Sequence, residues 1–552
     1  MPTLNWIGKE KVQTHHLDVP YRVMEHGYGF THDDGEQFNP VDSGNKIIYG
    51  DNLEALKSLL PIYEGKVDCI YIDPPYNTGT EKWIYNDNVN HPKIKKWLGQ
   101  LVGKESEDLS RHDKWLCMMY PRLQLLKQLL SKNGLIFISI DDNEQSSLRM
   151  ICDEIFGKSN FVSSFTWRTD GNFDNQAKIK VNHEYIYCYS KNNISLKSPN
   201  LIDPNIEEDS KLFKDTIVNT IVKNGKKNPV SQIKLPVGFH TNFEEGIIKA
   251  RKDSFPNFYE DAIVKDFKLQ NSVIIESGWS SKNIFELFIQ NNLEPVLDTK
   301  GQSTTFYLTN NGAVESLKKR IDTSHVISSL MNFGSTQNMS NELKRMGIDF
   351  DFPKPYQLIS YILSIQNNPN AIVLDSFAGS GTTAHAVLNL NKQDGGNRKF
   401  ILIELEDYAN TITAERVKRV IDGYGEGNNS VKGIGGDFNF YTLGQSLLDD
   451  ERNLNIEMPI EAVCSYIWYT ETHTAYTNSI QLLPLLGVYE NTAYYLNYIP
   501  NEVTTLDRKF LKGIDIKASQ YIIYADNCLL PKELMQKYNI VFKKIPRDIS
   551  QF

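Results

Sequence analysis

Apolar and polar positions along the first 190 residues of this 552-residue chain alternate between the period of strands and the period of helices. Residues 45–49 read as a strand stopped by Gly50-Asp51. Leu53, Leu56, Leu59 and Leu60 then recur on one helical face, with Asp51 or Asn52 as its cap. Residues 67–72 (VDCIYI) are a nearly unbroken apolar run with the length and β-branched content of a buried strand. After a polar stretch from Asn77 to Arg111, Leu116, Leu123, Leu126 and Leu130 mark a helix that Asn133-Gly134 should stop, and strands follow at 135–140 and 183–189. Such alternation builds βαβ units and an α/β, mostly parallel sheet.

From about Asn193 to Asn332 the rhythm stops. Lysines and arginines outnumber acids between Lys211 and Lys252, and the segment is either a separate binding module or a solvated insertion. Periodicity resumes with a helix beyond Pro355 (Leu358, Ile359, Ile362, Leu363), a strand at 371–374, a helix from Thr382 through Val387 and a strand at 400–403 ending at Glu404. Beyond Gly435-Gly436 the chain is rich in tyrosine and reads as a small α/β accessory domain. The expected divisions are an N-terminal arm (1–40), two halves of one sheet domain (41–192 and 336–436), the inserted region (193–335) and the accessory domain (437–552).

Two motifs sit at the C-terminal tips of predicted strands, the edge of an open α/β sheet where ligands bind. Gly379-Ser380-Gly381-Thr382-Thr383-Ala384 fits Gly-x-Gly-x-x-Gly/Ala, in which glycines let a ligand approach a helix N-terminus. Alone it suits a nicotinamide or flavin site, or a structural turn, equally well. Glu404 suits ribose hydroxyls in each ligand case, and no lysine follows to grip phosphates. Asp375 and Phe377 tilt the reading toward S-adenosylmethionine. The second motif, Asp73-Pro74-Pro75-Tyr76, is sharper. An exocyclic amine on a nucleobase is a poor nucleophile because its lone pair is delocalised. The Asp73 carboxylate and the Pro74 carbonyl can each accept one N–H as that amine turns pyramidal and gains positive charge. The prolines remove backbone donors and fix the chain direction, and Tyr76 offers a face on which an extruded base can stack. Together the motifs point to methyl transfer onto an amine. An oxidoreductase accounts for the glycines and leaves Asp73 to Tyr76 unexplained.

Composition agrees with a large globular enzyme: 40% hydrophobic and 23% charged residues allow a sizeable core. No apolar run approaches a membrane span and the first ten residues lack a signal peptide's apolar stretch, so a cytoplasmic location is expected. Six dispersed cysteines without Cys-x-x-Cys spacing suggest reduced, mostly buried thiols. His183-Glu184 lacks the second histidine of a zinc helix, and no metal is expected. A net charge of −9 argues against an unspecific polyanion binder and leaves room for a local basic cleft.

On Asp73 to Tyr76, Phe-Ala-Gly-Ser-Gly at 377–381 and Phe-Pro-Lys-Pro at 352–355, the sequence resembles the beta-class amino-methyltransferases that act on DNA adenine. Within them it resembles the modification subunits of type III restriction systems. The order also matches: catalytic motif, target-recognition region, cofactor motif. Similarity runs from about Trp6 to Thr442. The resemblance implies a doubly wound sheet of the S-adenosylmethionine-dependent methyltransferase type, circularly permuted, with an inserted recognition region. It implies cofactor contacts from Asp375, Phe377, Ala378, Gly379, Gly381, Thr382 and Glu404, with Phe352, Lys354 and Pro355 at the methionine part. Asp51 falls where the family places an acid near the cofactor adenine, although capping alone explains it. Asp73, Pro74, Pro75 and Tyr76 become the catalytic set for adenine N6 in flipped-out duplex DNA. Partners implied are duplex DNA, a second copy of the chain and a helicase-nuclease restriction subunit. Asn77, Trp167, Arg168, Asn172, Lys223, Lys226 and Lys227 are the expected DNA contacts. Cytosine-N4 enzymes usually carry Ser where this chain has Asp73, RNA or protein amide methylation commonly starts the motif with Asn, and an inactive DNA-binding subunit would not need Asp73 and Tyr76 intact.

Overall fold

A computed structural model of the chain describes residues 4–78, 107–169, 178–196, 199, 201–207, 210, 214–319, 326–449, 451, 453–477 and 483–549. Contacts divide it into two compact units, residues 1–197 with 327–552, and residues 198–326.

The first unit is organised by one eleven-stranded sheet. Its strands are β1 (Arg22–Thr31), β2 (Gly35–Gln37), β3 (Lys46–Tyr49), β4 (Val67–Ile72), β5 (Leu130–Ile140), β6 (Phe161–Arg168), β7 (His183–Ser190), β8 (Ser329–Leu330), β9 (Ile372–Asp375), β10 (Lys399–Glu404) and β11 (Asp437–Ser446). They lie in the order β8-β6-β7-β5-β4-β9-β10-β3-β11-β1-β2. The six from β5 to β11 run parallel, and β7 and β1 pair antiparallel to their ends. Ile70, Ile72, Ile136, Ile138, Ile401 and Ile403 enter one core with helices α1 (Asn52–Tyr63) and α2 (Glu107–Leu129). Their neighbours on the opposite face, Cys69, Tyr71, Phe137 and Leu402, are equally buried. Burial on both faces is why these strands read as unbroken apolar runs rather than as alternation. Three further helices, α3 (Tyr356–Ser364), α4 (Thr382–Asp394) and α5 (Glu415–Asp422), complete the doubly wound arrangement around β9 and β10.

The central position of β9 is the decisive feature. It pairs with β4 on one side (Val373 with Cys69, Leu374 with Ile70) and with β10 on the other. Residues three hundred apart in sequence thus end adjacent strands at one sheet edge.

Three expectations need correction. The N-terminal segment is more than an arm, because β1 and β2 close one side of the sheet. Residues 437–446, assigned to the accessory domain, form β11 and pair with β3 and β1, so the tyrosine-rich region separates only after that strand. It then forms a helix (Ile460–Thr472) and a sheet of Leu485–Tyr489, Thr492–Leu496, Gln520–Ala525 and Ile540–Lys544. Asn133-Gly134 does not stop α2, which ends at Leu129. The pair lies in a register shift of β5, where Leu130 pairs with Val67 and Leu135 with Cys69.

Among its described residues the second unit has three small antiparallel sheets, a helix (Lys282–Gln290) and a core of its own around Phe239, Phe258, Phe285, Phe288 and Phe306. A private core replaces the reading as a solvated insertion. No helix among the described residues is long and apolar enough to cross a membrane.

Candidate active site

The chain leaves β4 at Ile72 and turns through the two prolines. Trp115, fully buried on α2, donates its indole N–H to the Pro75 carbonyl at 2.7 Å, which holds the turn against the core. Asn77 ends the turn in left-handed backbone (φ 61) and donates to Glu144, which also binds His112 at 2.6 Å. Asn77 is buried, so it braces the motif and does not face DNA as expected. Asp73 and Tyr76 remain partly exposed at the sheet edge.

Four side chains meet there. The Lys354 ammonium lies 2.8 Å from Asp73 Oδ2, 3.3 Å from Glu184 Oε2 and 2.9 Å from the Tyr76 hydroxyl. That hydroxyl stands 2.9 Å from both Asp73 Oδ1 and Glu184 Oε2. Burial alone would lower the lysine's pKa, but the two carboxylates outweigh it and hold the ammonium above its ordinary value. Burial, then Asp73 and Glu184, push the Tyr76 hydroxyl well up, so it stays a donor. Two carboxylates and one ammonium leave the cluster a net negative charge, suited to an amine that becomes cationic.

Beside it lies the glycine turn. Gly379 (φ 52) and Gly381 (φ 83) occupy left-handed backbone, and a Cβ on Gly381 would sit 3.0 Å from the Thr413 carbonyl. A Cβ on Gly379 would touch the Phe350 ring at 3.4 Å. Below the turn, Asp375 accepts from the Phe377 N–H at 3.0 Å and the Thr383 hydroxyl at 2.5 Å, and burial pushes its carboxyl up to about 7. Glu404 accepts from the Gly379 N–H at 2.7 Å and the Glu406 N–H at 3.0 Å, and burial likewise raises it to about 7. Asp375 therefore ties the turn together. Glu404, which also neighbours the Tyr408 hydroxyl, has acceptor capacity left for a ribose hydroxyl. Arg416, fully buried, donates to the Ser380 and Thr382 hydroxyls at 2.7 and 2.8 Å and orients the first turn of α4.

The remaining expected residues divide. Ala378 is buried with its N–H on the Ile403 carbonyl, and the Phe377 ring lies in the core. Asp51 spends Oδ1 on the Leu53 and Glu54 N–H groups, the capping explanation. Pro355 precedes α3 and is buried. Phe352 points away: it is 81% exposed, while Phe350, two residues earlier, covers the glycine turn and meets Tyr408 edge-on at 5.7 Å. Trp167 is fully buried in β6, which removes it from the DNA contacts; alternation along the strand puts Arg168 on the exposed side. Lys226 and Lys227 are exposed on a tight turn of the second unit, Lys223 is exposed just before it, and Asn172 lies outside the described residues. Sequence reasoning missed Glu184, Phe350, Arg416 and Trp115. None carries a spacing signal, because each acts through a contact made only in the folded chain.

Comparison with known proteins gives the family. The chain is 33% identical over 432 residues to the EcoPI Mod subunit of a type III restriction-modification enzyme from Escherichia phage P1, covering 74% of this chain and 64% of that one. It is 32% identical over 404 residues to the StyLTI Mod subunit of Salmonella typhimurium, covering 69% and 56%. The type II methyltransferase M.KpnI of Klebsiella pneumoniae is 29% identical over 388 residues, covering 68% and 84%. The chain thus spans less than two thirds of the length of the two Mod subunits. Residues 67–415, which contain both motifs and the segment between them, match the DNA methylase family of N6 and N4 methyltransferases, and the chain belongs to that family.

Proposed function

We propose that the protein transfers a methyl group from S-adenosylmethionine to the N6 amine of adenine in duplex DNA, at a specific sequence and on a flipped-out base. The observation that carries this reading is the pairing of β4 with β9, which puts Asp73-Pro74-Pro75-Tyr76 beside the glycine turn, with Lys354 bridging to the first.

The residues present suit the cofactor. Two glycines in left-handed backbone, a helix N-terminus and the acid Glu404 make a cradle for an adenosyl group, with Phe350 as an apolar wall. When bound, S-adenosylmethionine supplies an electrophilic methyl group and leaves as a neutral thioether. The chain's own residues work on the amine. Asp73 and the Pro74 carbonyl accept its N–H groups, the amine lone pair forms the new N–C bond, and the surplus amine proton leaves through Asp73 to solvent. Such catalysis is orientation and preorganised charge, without a covalent enzyme intermediate. Asp at position 73 favours adenine over cytosine. The names of the Mod relatives support a modification subunit of a restriction-modification enzyme. We add, from the family resemblance, a homodimer beside a helicase-nuclease restriction subunit and, from their exposure, DNA contacts by the lysines of the second unit.

Methylation-sensitive sequencing of DNA from cells expressing the protein tests the reading, with mass spectrometry of the digested nucleosides. 6-Methyladenine within one sequence context is the expected result. 4-Methylcytosine would move the substrate to the other amine, and unmodified DNA would overturn the proposal.

A further inference from the structure

Both oxygens of the carboxylate that should take the target amine are already in use. Asp73 Oδ2 holds the Lys354 ammonium at 2.8 Å, and Oδ1 faces the Tyr76 hydroxyl at 2.9 Å. Each oxygen keeps a second lone pair, but an amine N–H must share its acceptor with one of these donors or take that donor's place. Lys354, whose side chain is 9% exposed, needs another acceptor if it turns away. Glu184 Oε2 is placed for both, 2.9 Å from the hydroxyl and 3.3 Å from the ammonium.

We infer that Glu184 is a positioning residue for methyl transfer, accepting the hydrogen bonds of Tyr76 and Lys354 when the target amine takes their place on Asp73. The inference rests on the amine-methyltransferase reading above. The Tyr76 hydroxyl carries one proton for two carboxylates at equal distance, so rotation about its C–O bond moves the hydrogen bond from Asp73 to Glu184 while the ring stays in place for stacking. Lys354 needs no larger shift, because its three donors already reach Asp73, Glu184 and the Tyr76 oxygen. Its side chain is only 9% exposed, and without Glu184 a departure from Asp73 would strand a buried charge. Glu184 lies within a strand paired to β6, opposite Trp167, so its backbone is held by the sheet and not by a loop. It also supplies the second negative charge of the cluster, which offsets the positive charge that the amine acquires.

The experiment compares Glu184→Gln with wild type in steady-state methyl transfer to unmethylated duplex DNA, with sinefungin affinity measured by calorimetry and the melting temperature measured alongside. The expected result is a kcat lower by ~10- to 100-fold, less than the ~100- to 1000-fold for a group that itself holds the reacting amine, with KM for DNA and sinefungin affinity within about 2-fold of wild type. In a Tyr76→Phe background, where no hydroxyl competes for Asp73, the factor lost on Glu184→Gln should be smaller. Glu184→Asp, which keeps the charge, should recover part of the rate, and it carries the same comparison if Glu184→Gln does not fold. A Glu184→Gln protein with wild-type kcat overturns the inference, as does one whose sinefungin affinity falls in step with its rate, or an undiminished factor in the Tyr76→Phe background. A wild-type protein that methylates no DNA overturns this inference and the proposed function together. An active wild type with an indifferent Glu184 sinks this one alone.

Discussion

Replacing Asp73 by alanine separates the chemistry from the scaffold, because the structure makes the two costs very different. The carboxylate has two protein partners, Lys354 at 2.8 Å and the Tyr76 hydroxyl at 2.9 Å. Leaving a buried donor without an acceptor costs ~1–3 kcal/mol. Here neither donor is left without one, since Glu184 stands 3.3 Å from the ammonium and 2.9 Å from the hydroxyl. Asp73 itself is 27% exposed on its side chain, so the folded state should lose only ~0–1 kcal/mol, the scale of a partly solvated ion pair. The transition state loses its amine acceptor, and removal of one preorganised partner costs ~2.7–4 kcal/mol, or ~100- to 1000-fold in rate. The glycine turn, held by Asp375, Glu404 and Arg416, does not touch Asp73 through any of these bonds. Transfer of tritiated methyl groups to unmethylated duplex DNA gives the rate, and calorimetry with sinefungin gives the cofactor affinity. Wild-type turnover in Asp73→Ala would refute the mechanism. A loss of sinefungin affinity as large as the loss of rate would refute the separation of the two motifs.

Gly381→Ala forces a side chain into left-handed backbone against the Thr413 carbonyl, at a cost of ~1–2 kcal/mol for the conformation alone, so sinefungin affinity should fall about 10-fold; unchanged affinity in calorimetry would place the cofactor elsewhere. Gly379→Asp should weaken binding further by adding a charge beside Glu404 and Phe350. Converting Lys223, Lys226 and Lys227 to glutamine should weaken DNA binding and flatten the plot of log affinity against log salt by about 0.9 for each phosphate no longer neutralised, and an unaltered slope would show that these lysines only solvate a turn. Burial raises the Asp375 carboxyl to about 7 from an ordinary value near ~4, so its contribution to stability is present in full below that ordinary value and is lost as pH rises through about 7. Asp375→Asn keeps an acceptor for the Phe377 N–H and a donor for the Thr383 oxygen without titrating. Urea denaturation from pH 4 to 8 should therefore show a smaller decline for Asp375→Asn than for wild type, while Asp375→Ala, which strands both partners, is destabilised by ~2–6 kcal/mol at every pH.

What the sequence determined by itself is local in origin. The apolar run at 67–72 and the glycine turn after Asp375 are specified by neighbouring residues, so their strand and helix starts were legible, and so was the chemistry of a carboxylate set between a strand and two prolines. The circular permutation implied by the resemblance requires both motifs at one sheet edge, and β9 between β4 and β10 places them there. Only the tertiary structure decided which side chains converge. Lys354, Glu184 and Asp73 come from three distant segments, and nothing in their spacing announces that one ammonium will bridge two carboxylates. Strand alternation does not say which face is covered, so Trp167 read as a DNA contact until β6 took its place in the sheet. Backbone hydrogen bonding turned Asp375 inward, and a two-residue shift gave the glycine turn Phe350 instead of Phe352. The closing strands β1 and β11 escaped detection for the same reason: a sheet edge is recruited by long-range hydrogen bonds, whose partners lie roughly 400 residues apart and leave no periodic trace in either segment.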